Sequence, residues 1–131
     1  MSKNSEAPSS SLMDNRIIYF NGSFNENAAK NLIQDLFLLQ VRDCKKDIVV
    51  FIDSYGGSVH SFLGMYDVIK LMKCDVATVV IGKAMSAGQM LLMSGTRGKR
   101  FATKNSRILM HEMTGCSYGK LSEIEAKLIH K

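Results

Sequence analysis

Two short apolar runs, each stopped by glycine and followed by a helical pattern, constrain this chain more than any other feature. Ile48–Ile52 (IVVFI) and Asp75–Gly82 (DVATVVIG) are almost continuously apolar. Runs of this kind mark strands covered on both faces, as in a parallel sheet between helices. The first gives way to Ser54-Tyr55-Gly56-Gly57 and a second helical stretch, about Ser58–Met72, with Val59, Phe62, Leu63, Tyr66 and Ile69 on one face. The second run leads to a helix expected close to Ser86 and running through Met90, Leu91 and Met93. Upstream, Arg16–Phe20 (RIIYF) reads as a strand closed by Asn21-Gly22. A helix from the N-cap Asn25 to about Val41 buries Ala28, Ala29, Leu32, Ile33, Leu36 and Leu39. Lys99–Ala102 and Arg107–Met110 are short strand candidates, Ser117–Gly119 is a loop, and Lys120–Lys131 begins a further helix. Alternating strands and helices mean repeated βαβ units, so the fold class is α/β with a mostly parallel sheet.

Composition narrows the function classes. The chain has 131 residues, 46% of them apolar, enough for one domain with its own core. The longest stretches without Asp, Glu, Lys or Arg are thirteen residues, Ser54–Tyr66 and Ala84–Thr96, against the roughly 20 that a membrane-spanning helix needs. Residues 1–15 read as a flexible polar arm without the apolar core of a secretory signal. Cys44, Cys74 and Cys116 show no C-x-x-C spacing and read as reduced thiols of a cytoplasmic protein, mostly packed as small apolar groups. His60, His111 and His130 have no metal-ligand spacing with them, so no metal is expected. The net charge of +5 owes much to Arg97, Lys99, Arg100, Lys104 and Arg107. With only Phe101 interleaved, these read as a solvated strand edge and not as a nucleic-acid surface.

In open parallel sheets, sites gather where the chain leaves the carboxyl ends of the strands. Three exits carry unusual residues. Gly56-Gly57 stands directly before a helix, where glycine lets the backbone approach a ligand closely; the same pair also reads as a plain tight turn. No phosphate-binding G-x-x-x-x-G-K-[ST] is present. Ala84-Met85-Ser86-Ala87-Gly88 puts a serine between a buried strand and a helix with small residues two positions either side. Ser86 therefore reads either as a helix N-cap or as the nucleophile of a sharp strand-to-helix elbow. His111 follows the strand Arg107–Met110 and reads either as a structural histidine or as a base. If the strands lie close together, the imidazole takes the Ser86 proton and the N–H groups of Gly57 and Ala87 hold an oxyanion.

From Arg16 to Lys131 the sequence resembles the Clp protease proteolytic subunit, the ClpP family of serine peptidases. Ile52–Val59 (IDSYGGSV) resembles its S-P-G-G-[SV]-V turn, and Gly82–Gly88 (GKAMSAG) its G-x-A-A-S-M-G. Gly98–Phe101 (GKRF) and Asn105–His111 (NSRILMH) resemble G-K-R-[FY] and N-[SA]-R-[IV]-M-I-H. The resemblance implies a ClpP/crotonase-like fold, with Ser86 as nucleophile, His111 as general acid/base, and Gly57 and Ala87 as the oxyanion hole. It implies a serine endopeptidase subunit in stacked heptameric rings, a homo-oligomer that degrades unfolded polypeptides delivered by an AAA+ unfoldase. ATP is then the partner's ligand, and this chain has no cofactor of its own.

Several positions depart from the family pattern. Tyr55 replaces the proline before the glycines, Met85 an alanine, Ala87 a methionine, and His111-Glu112-Met113 stands for H-Q-P. The family's triad aspartate has no counterpart at Asp14, Asp35, Asp43, Asp47, Asp53, Asp67 or Asp75. The domain over 16–131 is accordingly expected to be C-terminally incomplete, stopping at the start of the family's handle helix, about 120–131. Two other readings remain at this point: a non-catalytic ring subunit, and a crotonase-like acyl-CoA enzyme that uses backbone N–H pairs without a serine. A viral peptidase of the same fold is a variant of the first reading.

Overall fold

The computed structural model describes residues 8–110. His111, Cys116, His130, the loop at Ser117–Gly119 and the expected helix at 120–131 lie outside the described residues.

The elements in chain order are α1 (Pro8–Asp14), β1 (Ile17–Phe24), α2 (Glu26–Arg42), β2 (Ile48–Gly57), α3 (Val59–Leu71), β3 (Val76–Met85), α4 (Ala87–Met93), β4 (Arg100–Ala102) and β5 (Arg107–Leu109). The strands form one sheet in the order β1-β2-β3-β4, with β5 also pairing β3 further along, and every pairing is parallel. Each crossover between β1, β2 and β3 contains a helix, as parallel neighbours require.

Cap chemistry sets the two long helices. Asn25 accepts from the Ala28 N–H at 2.8 Å, and Ser58 accepts from the Ser61 N–H at 3.3 Å. Their inner faces carry Leu32, Leu36 and Leu39 on α2 and Phe62, Met65 and Ile69 on α3. These meet Ile18, Phe20, Ile48, Val50, Ile52, Val76 and Val80 from the sheet in a single core.

The structure corrects four expectations besides the inner face of α3, where Leu63 and Tyr66 are exposed and Met65 is buried instead. The first is that β2 and β3 are covered on both faces. Ile48, Val50 and Ile52 are buried, whereas Val49, Phe51 and Asp53 are only half-buried, and Val79 and Ile81 on β3 are likewise half-buried. The core helices occupy one face of the sheet, so the residues of that register are sealed, and on the other face of β2 and β3 only Ala77 is buried.

Second, the strands run past their turn signals. β1 continues through Asn21-Gly22 to Phe24, because a register shift between Asn21 and Ser23 lets Gly22 bulge at φ 99° while Phe24 still pairs with Gly57. β3 passes Gly82 in the same way because Lys83–Met85 pair with β5. Third, Pro8–Asp14 within the expected arm is helical, and Met13 packs against the core. Fourth, Cys44 is exposed in the loop after α2, while Cys74 is buried as expected.

The basic segment lies along β4 and β5, at the sheet edge beyond β3. Lys99 reaches both Asp47 and Asp75 at 2.8 Å, and Arg100 donates to the Met93 carbonyl at 3.0 Å, so two of its cations are engaged within the fold. Among the described residues, no helix is long and apolar enough to cross a membrane.

Candidate active site

The carboxyl ends of β2 and β3 meet the start of α4. Ser86 joins β3 to α4 with φ 55° and ψ −121°, a conformation that a residue with a β-carbon adopts only at a cost of about 1–3 kcal/mol. Its main chain is tied on both sides. The N–H donates to the Leu109 carbonyl at 3.0 Å, and the carbonyl accepts the first α4 bond from the Met90 N–H at 3.1 Å. The side chain makes no capping bond, in contrast to Asn25 and Ser58. Of the two readings open for Ser86, the side-chain cap is therefore the one that the geometry does not support.

Small residues make the elbow possible. A β-carbon on Gly56 would lie 2.8 Å from both the Met85 carbonyl oxygen and the Ser86 β-carbon, and 3.2 Å from the Ala87 nitrogen. One on Gly88 would lie 3.0 Å from the Ser54 carbonyl oxygen. The end of β2 thus rests directly on the turn that presents Ser86, and α4 rests on β2 through Gly88. Ser54, buried, braces this end: its hydroxyl donates to the Gly22 carbonyl and accepts from the Gly56 N–H at 3.0 Å.

Gly57 has φ 150° and pairs with Phe24. The Phe24 carbonyl takes its bond from the Ser58 N–H at 2.9 Å, which in a parallel ladder turns the Gly57 N–H away from β1, toward β3. The last β2–β3 pair is Ser54 with Ala84, so that N–H points past the end of their ladder. Ala87 is the first residue of α4, where main-chain N–H groups have no partner within the helix. Two main-chain donors and a serine hydroxyl accordingly collect at one sheet end. Gly56 is the residue that touches Ser86 and Ala87, and Gly57 follows it at the end of β2.

His111 lies outside the described residues. The strand that precedes it is placed: β5 pairs Ala84 with Ile108 and Met85 with Leu109, two residues short of the histidine. Two grooves of about 310 and 340 Å³ lie elsewhere, one beside β1 and α2, the other between α3 and α4, and neither is lined by Gly57, Ser86 or Ala87. Among the described residues, no group of three His, Cys, Asp or Glu side chains is arranged to hold a metal ion.

Sequence reasoning missed one feature beside the site. The Lys83 ammonium donates to Asp53 Oδ1 at 2.8 Å and sits 4.4 Å from the centre of the Tyr55 ring. The hydrogen bond to Asp53 is the main cause that raises the Lys83 pKa, with partial desolvation opposing it. The only signal in the sequence was opposite charge one residue after each of Ile52 and Gly82.

Residues 2–130 match the profile of a family described as Clp protease.

Proposed function

The chain belongs to the Clp protease family, and from that premise we propose that it acts as a serine endopeptidase subunit, with Ser86 as the nucleophile. The observation that carries this reading is Ser86 itself: a strained elbow residue whose hydroxyl caps nothing, with its N–H bonded to the strand that leads into His111. A serine used only to start a helix has no need of φ 55°, because extended backbone caps a helix without strain, as Asn25 and Ser58 do.

In the proposed reaction His111 accepts the Ser86 proton as the hydroxyl attacks a peptide carbonyl. The carbonyl oxygen becomes an oxyanion that the Gly57 and Ala87 N–H groups stabilise, the role in which such donors have their largest effect. The imidazolium then protonates the leaving amine, and water repeats the sequence to release the acyl group. Only the main chain of Ala87 takes part, so its departure from the family's methionine is compatible with this role.

Members of the family form rings served by AAA+ ATPases. We extend that to this chain as a homo-oligomer of stacked heptamers in the cytoplasm, degrading unfolded polypeptides, with ATP hydrolysed by the unfoldase and no cofactor bound here. Exposed apolar residues such as Val41, Leu71 and Phe101 support assembly, since they leave apolar surface for a neighbour to cover. Native mass spectrometry reads the ring size directly. For the chemistry, Ser86→Ala is expected to abolish peptide hydrolysis while leaving the circular dichroism spectrum unchanged; retained hydrolysis in that variant overturns the assignment.

A further inference from the structure

We propose that Asp53 and Lys83 form a positioning pair that fixes the oxyanion strand against the nucleophile elbow. This rests on the reading of Ser86 as nucleophile. The two groups belong to different strands. Gly57 ends β2 and Ser86 follows β3, so any slide of one strand along the other changes the distance between the oxyanion donor and the attacking oxygen.

The ladder alone does not set that slide. β2 and β3 run in step to Ile52 opposite Val80 and resume at Ser54 opposite Ala84. Asp53 alone on β2 therefore faces Ile81, Gly82 and Lys83 on β3, and the excess residues are taken up in a bulge. Gly82 accommodates it at φ 69°, with its backbone so close that a β-carbon would lie 2.8 Å from Asp53 Oδ1. The 2.8 Å ion pair from Lys83 to Asp53 closes the bulge from the other side. It is the one side-chain hydrogen bond between β2 and β3 at this irregularity among the described residues, and it lies three positions before Ser86 and four before Gly57.

Tyr55 adds a second restraint on the same segment. Where the resembling motif has a proline, whose ring would hold φ without help, this chain has tyrosine. The Lys83 ammonium over the Tyr55 ring restrains the same segment from β3. Both charged side chains are about one-quarter exposed, 27% for Lys83 and 24% for Asp53. A pair so placed adds little to global stability. Its effect falls on geometry, where displacements below 1 Å change rates strongly.

The test compares the full chain with Lys83→Met, Lys83→Arg and Asp53→Asn, reading the second-order rate at which a fluorophosphonate labels Ser86 together with the melting temperature. Lys83→Met and Asp53→Asn are expected to label at least about tenfold more slowly, and Lys83→Arg within about threefold of the parent, with melting temperatures nearly unchanged. Lys83→Met labelling at the parent rate overturns the proposal. So does a loss of rate in Lys83→Arg equal to that in Lys83→Met, or slowing that simply follows lost stability across the series. Absence of label on the parent chain contradicts the nucleophile reading itself, which is a separate result from equal rates.

Discussion

The main-chain N–H of Ser86 donates to the carbonyl oxygen of Leu109 at 3.0 Å. This bond attaches β5 to the elbow residue itself, not merely to the strand before it. The segment that carries the proposed base is thereby anchored to the proposed nucleophile two residues before the histidine. Ser86 is held by β5 on its nitrogen side and α4 on its carbonyl side, and this double attachment is what can sustain its positive φ.

That strain gives the first prediction. Glycine tolerates φ 55° freely, so Ser86→Gly should relieve the elbow while removing the hydroxyl. After the entropy cost of a glycine, the net gain should be about 1 kcal/mol. Urea denaturation should place its midpoint above that of Ser86→Ala, with peptide hydrolysis absent from both.

The glycines opposite Ser86 behave in the reverse sense. A β-carbon at Gly57 would lie 2.5 Å from the Phe24 oxygen and 2.6 Å from its nitrogen, so the β1–β2 ladder would have to open. Gly57→Ala should cost about 2–4 kcal/mol and abolish activity. Gly56→Ala, which pushes on Met85 and Ser86 instead, should suppress labelling of Ser86 even under conditions where the variant remains folded. Denaturation curves read alongside fluorophosphonate labelling separate the two effects.

Arg16 offers a test remote from the site. Its guanidinium donates to the carbonyls of Leu39, Asp43, Lys46 and Asp47 at 2.7–3.1 Å, tying the end of α2 and its following loop to the start of β1. Arg16→Ala should destabilise the fold by about 3 kcal/mol. Arg16→Lys should recover less than half of that, because an ammonium cannot reproduce the planar fork. Chemical denaturation of both variants measures the difference.

Alkaline pH should weaken the fold through lysine. Hydrogen bonds to Asp47 and Asp75 raise the Lys99 pKa, and that to Asp53 raises the Lys83 pKa. A raised folded-state value means the native state holds the proton more tightly than the unfolded chain. The resulting stability is fully present below the ordinary lysine value of about 10.4 and is lost as pH rises through the raised values. Urea midpoints should be level from pH 8 to about 10 and fall above it, and Lys99→Met should reduce the fall.

The two long helices were readable from sequence because local chemistry decides them. Asn25 caps the first, along which Leu32, Leu36 and Leu39 repeat at helical spacing; on the second the expected face holds for Phe62 and Ile69, while Leu63 and Tyr66 are exposed and Met65 is buried in their place. The strand ends were not readable, because β1 and β3 continue past Gly22 and Gly82 only by virtue of partners more than twenty residues away. The same holds for the Arg16 clamp, whose acceptors lie 23–31 positions along the chain. At the site, the motifs pointed to Gly57, Ser86 and Ala87, and the parallel pairing of β2 with β3 puts the strand ends that carry them at the same edge of the sheet. The positive φ of Ser86 had no sequence signal, since alanine and methionine neighbours permit such a turn without requiring it.

The most direct test of the central claim is to treat the chain with a fluorophosphonate and locate the adduct by peptide mass spectrometry, with Ser86→Ala as control. The account predicts a single adduct on Ser86 that is absent from the control. A folded chain that takes up no label, or takes it up equally in the alanine variant, contradicts it.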